Sequence, residues 1–392
     1  MIPLFRPIGA ALCALASLTA VAHEHAKPAV RPALGASVAI APDGRVWWVG
    51  ASGEHVVVRR AAAVGAPFDA PRTVNAEPET IAADGENRPK IALGKDGAIY
   101  LSWTHPRGQP YSGDIRFSRS LDQGETFSPP ATVHRDRQEI THRFDALAVD
   151  GQGRVAVAWI DKRDRSAAAG RGETYAGAAI YAAWSRDGGE HFEPEVRVAD
   201  HSCECCRIAA ATAPDGTVWL LWRQLFDGGV RDHAWARLDA ASKTPPVVLR
   251  ATAENWRLDG CPHHGPSLAF DGEGRAHAVW FSAAKGSRVH YGSAPAGETF
   301  PSIEMAAAGA SHADLAVDGD RVWIIWQQIV EDADTLQVRT STDGGATFSP
   351  PREIARTTGP HSQPQVLVWK RKAYAAWTLP EGPQIVALET RR

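Results

Sequence analysis

Residues 145–159, DALAVDGQGRVAVAW, contain two short apolar runs split by an Asp-Gly turn and closed by Trp159. Short runs of this kind between turn residues are strand patterns, and no helical spacing of apolar residues accompanies them. The same phrase stands at 36–50 (ASVAIAPDGRVWWVG), 89–103 (PKIALGKDGAIYLSW), 208–222 (IAAATAPDGTVWLLW) and 266–280 (PSLAFDGEGRAHAVW). Two later copies are shorter, ADLAVDGDRVWIIW at 313–326 and PQVLVWKRKAYAAW at 364–377. Seven copies at roughly fifty-residue spacing predict an all-β propeller of four-stranded blades, seven in number, with six as the alternative. Only three strands fit after the last copy begins. A strand around Ala29–Leu34 is therefore expected to complete that blade and close the ring, leaving no sheet edge open.

A second hairpin follows most copies and has its own signature. SLDQGETF from Ser120, SRDGGEHF from Ser185 and STDGGATF from Ser341 share the pattern Ser-x-Asp-x-Gly-x-x-Phe, with a degraded SAPAGETF from Ser293. The Asp carboxylate suits a tight turn by accepting backbone N–H groups, Gly supplies a left-handed backbone angle, and Phe packs inward. These turns resemble the Asp boxes, or BNR repeats, of the sialidase superfamily, and the resemblance spans nearly the whole repeat region. In that superfamily the boxes join outer strands and are structural. True sialidases have six blades. They clamp a substrate carboxylate with three arginines and use an Asp acid/base and a Glu-activated Tyr. The resemblance implies Arg88, Arg143 and Arg207 for the clamp, and Tyr175 with Glu173 in the insertion after Trp159. The Phe/Tyr-Arg-Ile-Pro motif of sialidases is missing, and Asn87-Arg88-Pro89 is the nearest phrase. The charged run DKRDR at 161–165 otherwise reads as a solvent-exposed loop.

Residues 1–22 read as a signal peptide, with Arg6, an apolar run from Ile8 to Val21 and Ala20-Val21-Ala22 as the cleavage rule. Cys13 follows Leu12, so a lipoprotein signal is not expected. The mature chain, 23–392, is expected to be one propeller domain in the periplasm or outside the cell, with no membrane span. A formal net charge of −3 without a basic run gives no electrostatic support to nucleic-acid binding.

Repeat phase converts sequence position into spatial position. Sixteen residues before the closing Trp of five copies lie Asn87, Arg143, Cys206, His264 and His361. Glu86, His142, Cys205 and His263 stand one step earlier, and His312 holds nearly the same place in the sixth copy. All should converge where the chain enters the innermost strands, at one mouth of the central channel. Cysteine and histidine are soft and borderline ligands that suit copper or zinc. The expected core is Cys203, Cys205, Cys206, Cys261, His263 and His264, with His142, His312 and His361 as outer ligands and Arg207 as a nearby charge. After cleavage, His23 and His25 would chelate copper through the new amine. His105, His191 and His277 lack the phase and read as ordinary surface or strand residues.

Two other readings of these residues stand beside the metal. An even number of mature cysteines in an oxidising compartment fits disulfides, Cys205 or Cys206 to Cys261 among them. One reading is then a propeller whose disulfide-tied rim binds another exported protein; the other, carried by the Asp boxes and the three arginines, is a sialidase-type glycoside hydrolase or carbohydrate-binding propeller.

Overall fold

The computed structural model describes residues 33–389 except 287 and 307. Blade 1 holds strands Ser37–Ile40, Val46–Ser52, His55–Ala61 and Arg72–Thr73, and blade 2 holds Lys90–Leu93, Ile99–Pro106, Gly113–Ser120 and Ala131–Thr132. Blade 3 is His142–Val149, Val155–Asp161, Ala178–Ser185 and Val196–Ser202. Blade 4 follows as Ala209–Thr212, Val218–Arg223, His233–Leu238 and Leu249–Arg250. Blade 5 comprises Ser267–Phe270, Arg275–Ser282, Arg288–Pro295 and Ile303–Ala306. Blade 6 comprises Ala310–Asp318, Arg321–Val330, Ala333–Ser341 and Arg352–Thr357. Blade 7 has three strands among the described residues, Gln365–Trp369, Lys372–Leu379 and Gly382–Ala387. Each sheet is an antiparallel meander, so the expected seven-bladed propeller is the architecture observed.

Each first strand lies inside and touches its neighbours, and the strand of blade 1 meets that of blade 7 to close the ring. Three hydrogen bonds fix this closure: Val38 N to Gln365 Oε1 at 3.2 Å, Gln365 Nε2 to Ala36 O at 2.9 Å, and Trp48 Nε1 to Thr378 Oγ1 at 3.0 Å. The expected closing strand at Ala29–Leu34 falls outside the described residues except for Ala33 and Leu34, which lie in no strand. The proposed signal peptide also lies outside them.

The closing Trp of each copy explains the constant phase. Trp103, Trp159, Trp222, Trp280 and Trp326 are all buried, and each packs in the gap against the blade before it. A blade presents two apolar faces, and a large ring between faces fills the wedge that widens outward from the channel.

The Ser-x-Asp turns perform the same joining task at the rim. Ser341 Oγ donates to Asp343 Oδ1 at 2.7 Å and accepts Gly345 N–H at 2.9 Å, while Asp343 accepts Thr347 N–H at 2.9 Å. Asp122 and Asp187 repeat the pattern. Hydrogen bonds from Thr126, and those from Thr347, hold the Asp122 and Asp343 carboxyls down at about 2. Gly345 has φ +86°, and a Cβ there would lie 1.9 Å from Tyr291 Oη of blade 5. The glycine thus serves the turn and lets the neighbouring blade approach.

One sequence expectation needs correction. The run after Asp161 is not simply an exposed loop, because Arg163–Gly170 forms an α-helix. Its three successive alanines favour that form, and Asp161 accepts both Arg163 N–H at 2.8 Å and the Arg163 guanidinium at 2.7 Å.

Gly345→Ala should therefore lower the unfolding midpoint more than Gly344→Ala. Both positions have positive φ, but nothing lies within 4 Å of a Cβ at Gly344. Left-handed backbone costs roughly 1–2 kcal/mol in each, and the Tyr291 clash adds to Gly345→Ala alone; equal urea midpoints would contradict this role.

Candidate functional site

The loops entering the inner strands meet around one carboxylate. Glu86, before blade 2, accepts from Arg207 Nη1 at 2.9 Å, Arg207 N at 2.9 Å and Gly265 N at 2.7 Å. Arg207 also donates through Nε to Pro266 O at 3.0 Å and through Nη2 to Ala313 O at 2.7 Å. One buried ion pair therefore ties the entering chain of blades 2, 4, 5 and 6. Burial works against the Glu86 charge, but the Arg207 guanidinium and then His312 outweigh it and hold the carboxyl well below its ordinary range. A Cβ at Gly265 would lie 2.3 Å from Arg207 Cγ and 2.5 Å from Glu86 Oε2, so only glycine admits the pair.

Residues beside this hub carry the Cys/His chemistry. Cys203, Cys205 and Cys206, on the loop from blade 3 to blade 4, are buried, with Cys203 Sγ 3.7 Å from each of the other two sulfurs. All three sulfurs lie within 4.8 Å of one another and are free thiols. A thiolate shell with bonds of about 2.3 Å has S···S edges of roughly 3.8 Å, so the spacing fits three ligands to one ion. Arg231 Nη1 lies 3.4 Å from Cys203 Sγ. Hydrogen bonds from Cys205 and Cys206 hold the Cys203 thiol well below its ordinary value. The Cys205 thiol is pushed up by the same contacts, and that of Cys206 chiefly by burial. The Arg231 guanidinium beside Cys203 favours a thiolate there, and a bound ion would displace thiol protons.

The structure divides the other expected ligands. Cys261 and His263 are exposed, and Cys261 is a free thiol outside the trio. No disulfide joins the described cysteines. His264 Nδ1 faces His312 Nδ1 at 3.4 Å, forming a pair across blades 5 and 6. His361 turns instead to Asp334 Oδ2 at 3.2 Å. His142 does not join the sulfurs: its ring stacks on His134 at 3.9 Å, and its Nδ1 bonds Gly113 O at 2.9 Å. Arg207 is likewise committed to Glu86, and Arg231 makes the sulfur contact expected of it. His277 is buried in its strand and bonds Tyr291 Oη at 2.7 Å. His23 and His25 lie outside the described residues.

Of the residues implied by the sialidase resemblance, Tyr175 and Glu173 each bond another partner. Tyr175 Oη donates to Asp200 Oδ1 at 2.7 Å, whereas Glu173 pairs with Arg171 at 2.6 Å. Burial, then Asp200, pushes the Tyr175 phenol up, opposite to activation as a nucleophile. Arg88 is buried, with Nε and Nη1 making no hydrogen bond, and burial draws its guanidinium down to about 10. Arg143 lies 5.3 Å from the Phe144 ring and 3.8 Å from Asp84.

No family model matches the chain, and no curated protein matches it. Among solved structures it is similar to a PL25 polysaccharide lyase, an ulvan lyase, at TM-score 0.56 and 11% identity over 89% of this chain and 90% of that one. It also resembles the GH93 α-L-arabinofuranosidase of Fusarium graminearum (0.53, 14%, 76% and 92%) and the leech intramolecular trans-sialidase (0.50, 9%, 85% and 79%). At such identities the likeness is one of fold. No described helix is long and apolar enough to cross a membrane.

Removing the Glu86 charge should be costly, because it leaves Arg207 buried without its partner. Glu86→Gln is expected to lose about 3–5 kcal/mol at pH 7. A depressed folded-state pKa contributes stability that is present above the unfolded value, about 4.3, and lost as pH falls toward the folded one. The stability difference between wild type and Glu86→Gln should therefore shrink between pH 5 and pH 2 in urea titrations. A constant difference across that range would contradict the ion-pair account.

Proposed function

We propose that this chain is an exported, metal-binding β-propeller that holds a soft ion, copper before zinc, on Cys203, Cys205 and Cys206. The reading is carried by the packing of three free sulfurs at 3.7 Å contacts in a buried site. Buried thiols with no metal role usually pack as isolated apolar groups; three converging sulfurs beside a cation suit an anionic thiolate cluster. Three soft ligands and low water access favour monovalent copper, whereas structural zinc sites take four protein ligands. The role is metal handling, delivery or redox chemistry, after cleavage near Ala22.

Protein purified from cells supplied with copper should carry one copper per trio, together with protected thiols at positions 203, 205 and 206. Any single Cys→Ser change in the trio should abolish stoichiometric loading. Arg231→Met should weaken it by about 10-fold, as losses of outer-shell partners do. Wild-type protein free of copper and zinc, with all three thiols open to alkylation once unfolding is excluded, would refute the proposal.

A second reading, binding of an anionic glycan, is supported by the carbohydrate-active proteins among those of similar fold. Planar guanidinium groups pair well with carboxylates. Turnover of a fluorogenic sialoside that is lost in Arg88→Ala and Tyr175→Phe would support it over the metal reading; no binding or turnover of acidic glycans would remove it.

A further inference from the structure

The histidine pair beside the hub is a distinct feature from the sulfur trio. His264 reaches the channel mouth from the loop before blade 5. His312 comes from the inner strand of blade 6, where strand pairing shifts between Ser311 and Asp314. That bulge holds His312 at φ +48°, a backbone angle that costs a side chain energy and that β-bulges use to re-aim one residue. The re-aimed ring brings Nδ1 to 3.4 Å from Nδ1 of His264, with the rings at 61°.

Two imidazole nitrogens on one tetrahedral ion, at bonds of about 2.0–2.1 Å, are separated by roughly 3.4 Å. The observed spacing matches. Gln363 Nε2 lies 2.8 Å from His312 Nδ1. Glu86 Oε1 lies 3.5 Å from the same nitrogen. The buried Gln363 Oε1 has no hydrogen-bond partner. A half-turn of that amide would place an oxygen where Nε2 now sits and add a third donor.

We infer that His264 and His312 form a second metal site at the channel mouth, for a divalent transition ion. Neutral imidazole suits copper, nickel and zinc, and affinity among the divalent ions peaks at copper(II). Glu86 already meets the Arg207 charge and so contributes field rather than a bond. Both rings are partly exposed, unlike the sulfurs, so this ion exchanges with solvent. The site needs nothing from the trio and stands or falls separately.

Copper(II) is titrated into full-length mature protein carrying Cys203→Ser, Cys205→Ser, Cys206→Ser, His23→Ala and His25→Ala, and followed by electron paramagnetic resonance. The expected spectrum shows hyperfine splitting from two imidazole nitrogens at one copper per chain. His264→Gln and His312→Gln should each weaken binding at least 10-fold and remove that splitting, with the thermal midpoint recorded on the same samples to establish folding. Equal affinity and an unchanged spectrum in both folded variants would overturn the site. So would the absence of copper(II) binding in the starting background, provided it is folded. Loss of copper from the trio in wild type would leave this result untouched, which separates the two proposals.

Discussion

The contact between Glu86 and Arg207 organises the mouth of the channel. A carboxylate removed from water is costly unless its lone pairs are met, and here a guanidinium and two backbone N–H groups meet them. The partners belong to loops from different blades, so the electrostatic requirement becomes a positional one. Arg207 follows Cys206, Gly265 follows His264, and Ala313 follows His312. Fixing three backbone positions around one anion therefore fixes where the sulfurs and both imidazoles stand. The hydrophobic wedges between blades build the ring, and this ion pair sets the register of what lines its mouth.

Much of the ring was legible in sequence because its rule is periodic. The closing Trp recurs at one phase since each gap between blades needs the same large ring, and the Ser-x-Asp turns recur since each rim needs the same bend. Phase also located the loops that converge. It could not state which side chains meet, because neighbouring positions on a loop point in different directions. His142 and Cys205 share a phase, yet one stacks on His134 and the other joins the sulfurs. The bulge at His312 depends on pairing with the next strand and leaves no local signal.

Charged residues were the hardest to read. Glu86 stood at the right phase, but a carboxylate in a polar loop looks the same whether it is solvated or bonded to two other loops. Gly265 was the missing clue, since a glycine directly after two histidines admits a close backbone approach. Arg231 comes from a hairpin loop outside the repeat phrase, so its contact with Cys203 is visible only in three dimensions. The alanine-rich helix at Arg163–Gly170 was concealed by the charges around it.

A propeller of this class supplies a rigid ring and leaves the chemistry to its loops, so similar folds carry unrelated activities. In this chain three buried sulfurs converge, as do Asp114, His134 and His142, and the tyrosine that a sialidase-like reaction would need is bonded to Asp200. X-ray absorption at the copper edge on copper-loaded, reduced wild-type protein tests the central claim most directly. The account predicts a first shell of three sulfurs at about 2.3 Å. A shell of nitrogen and oxygen alone would contradict it.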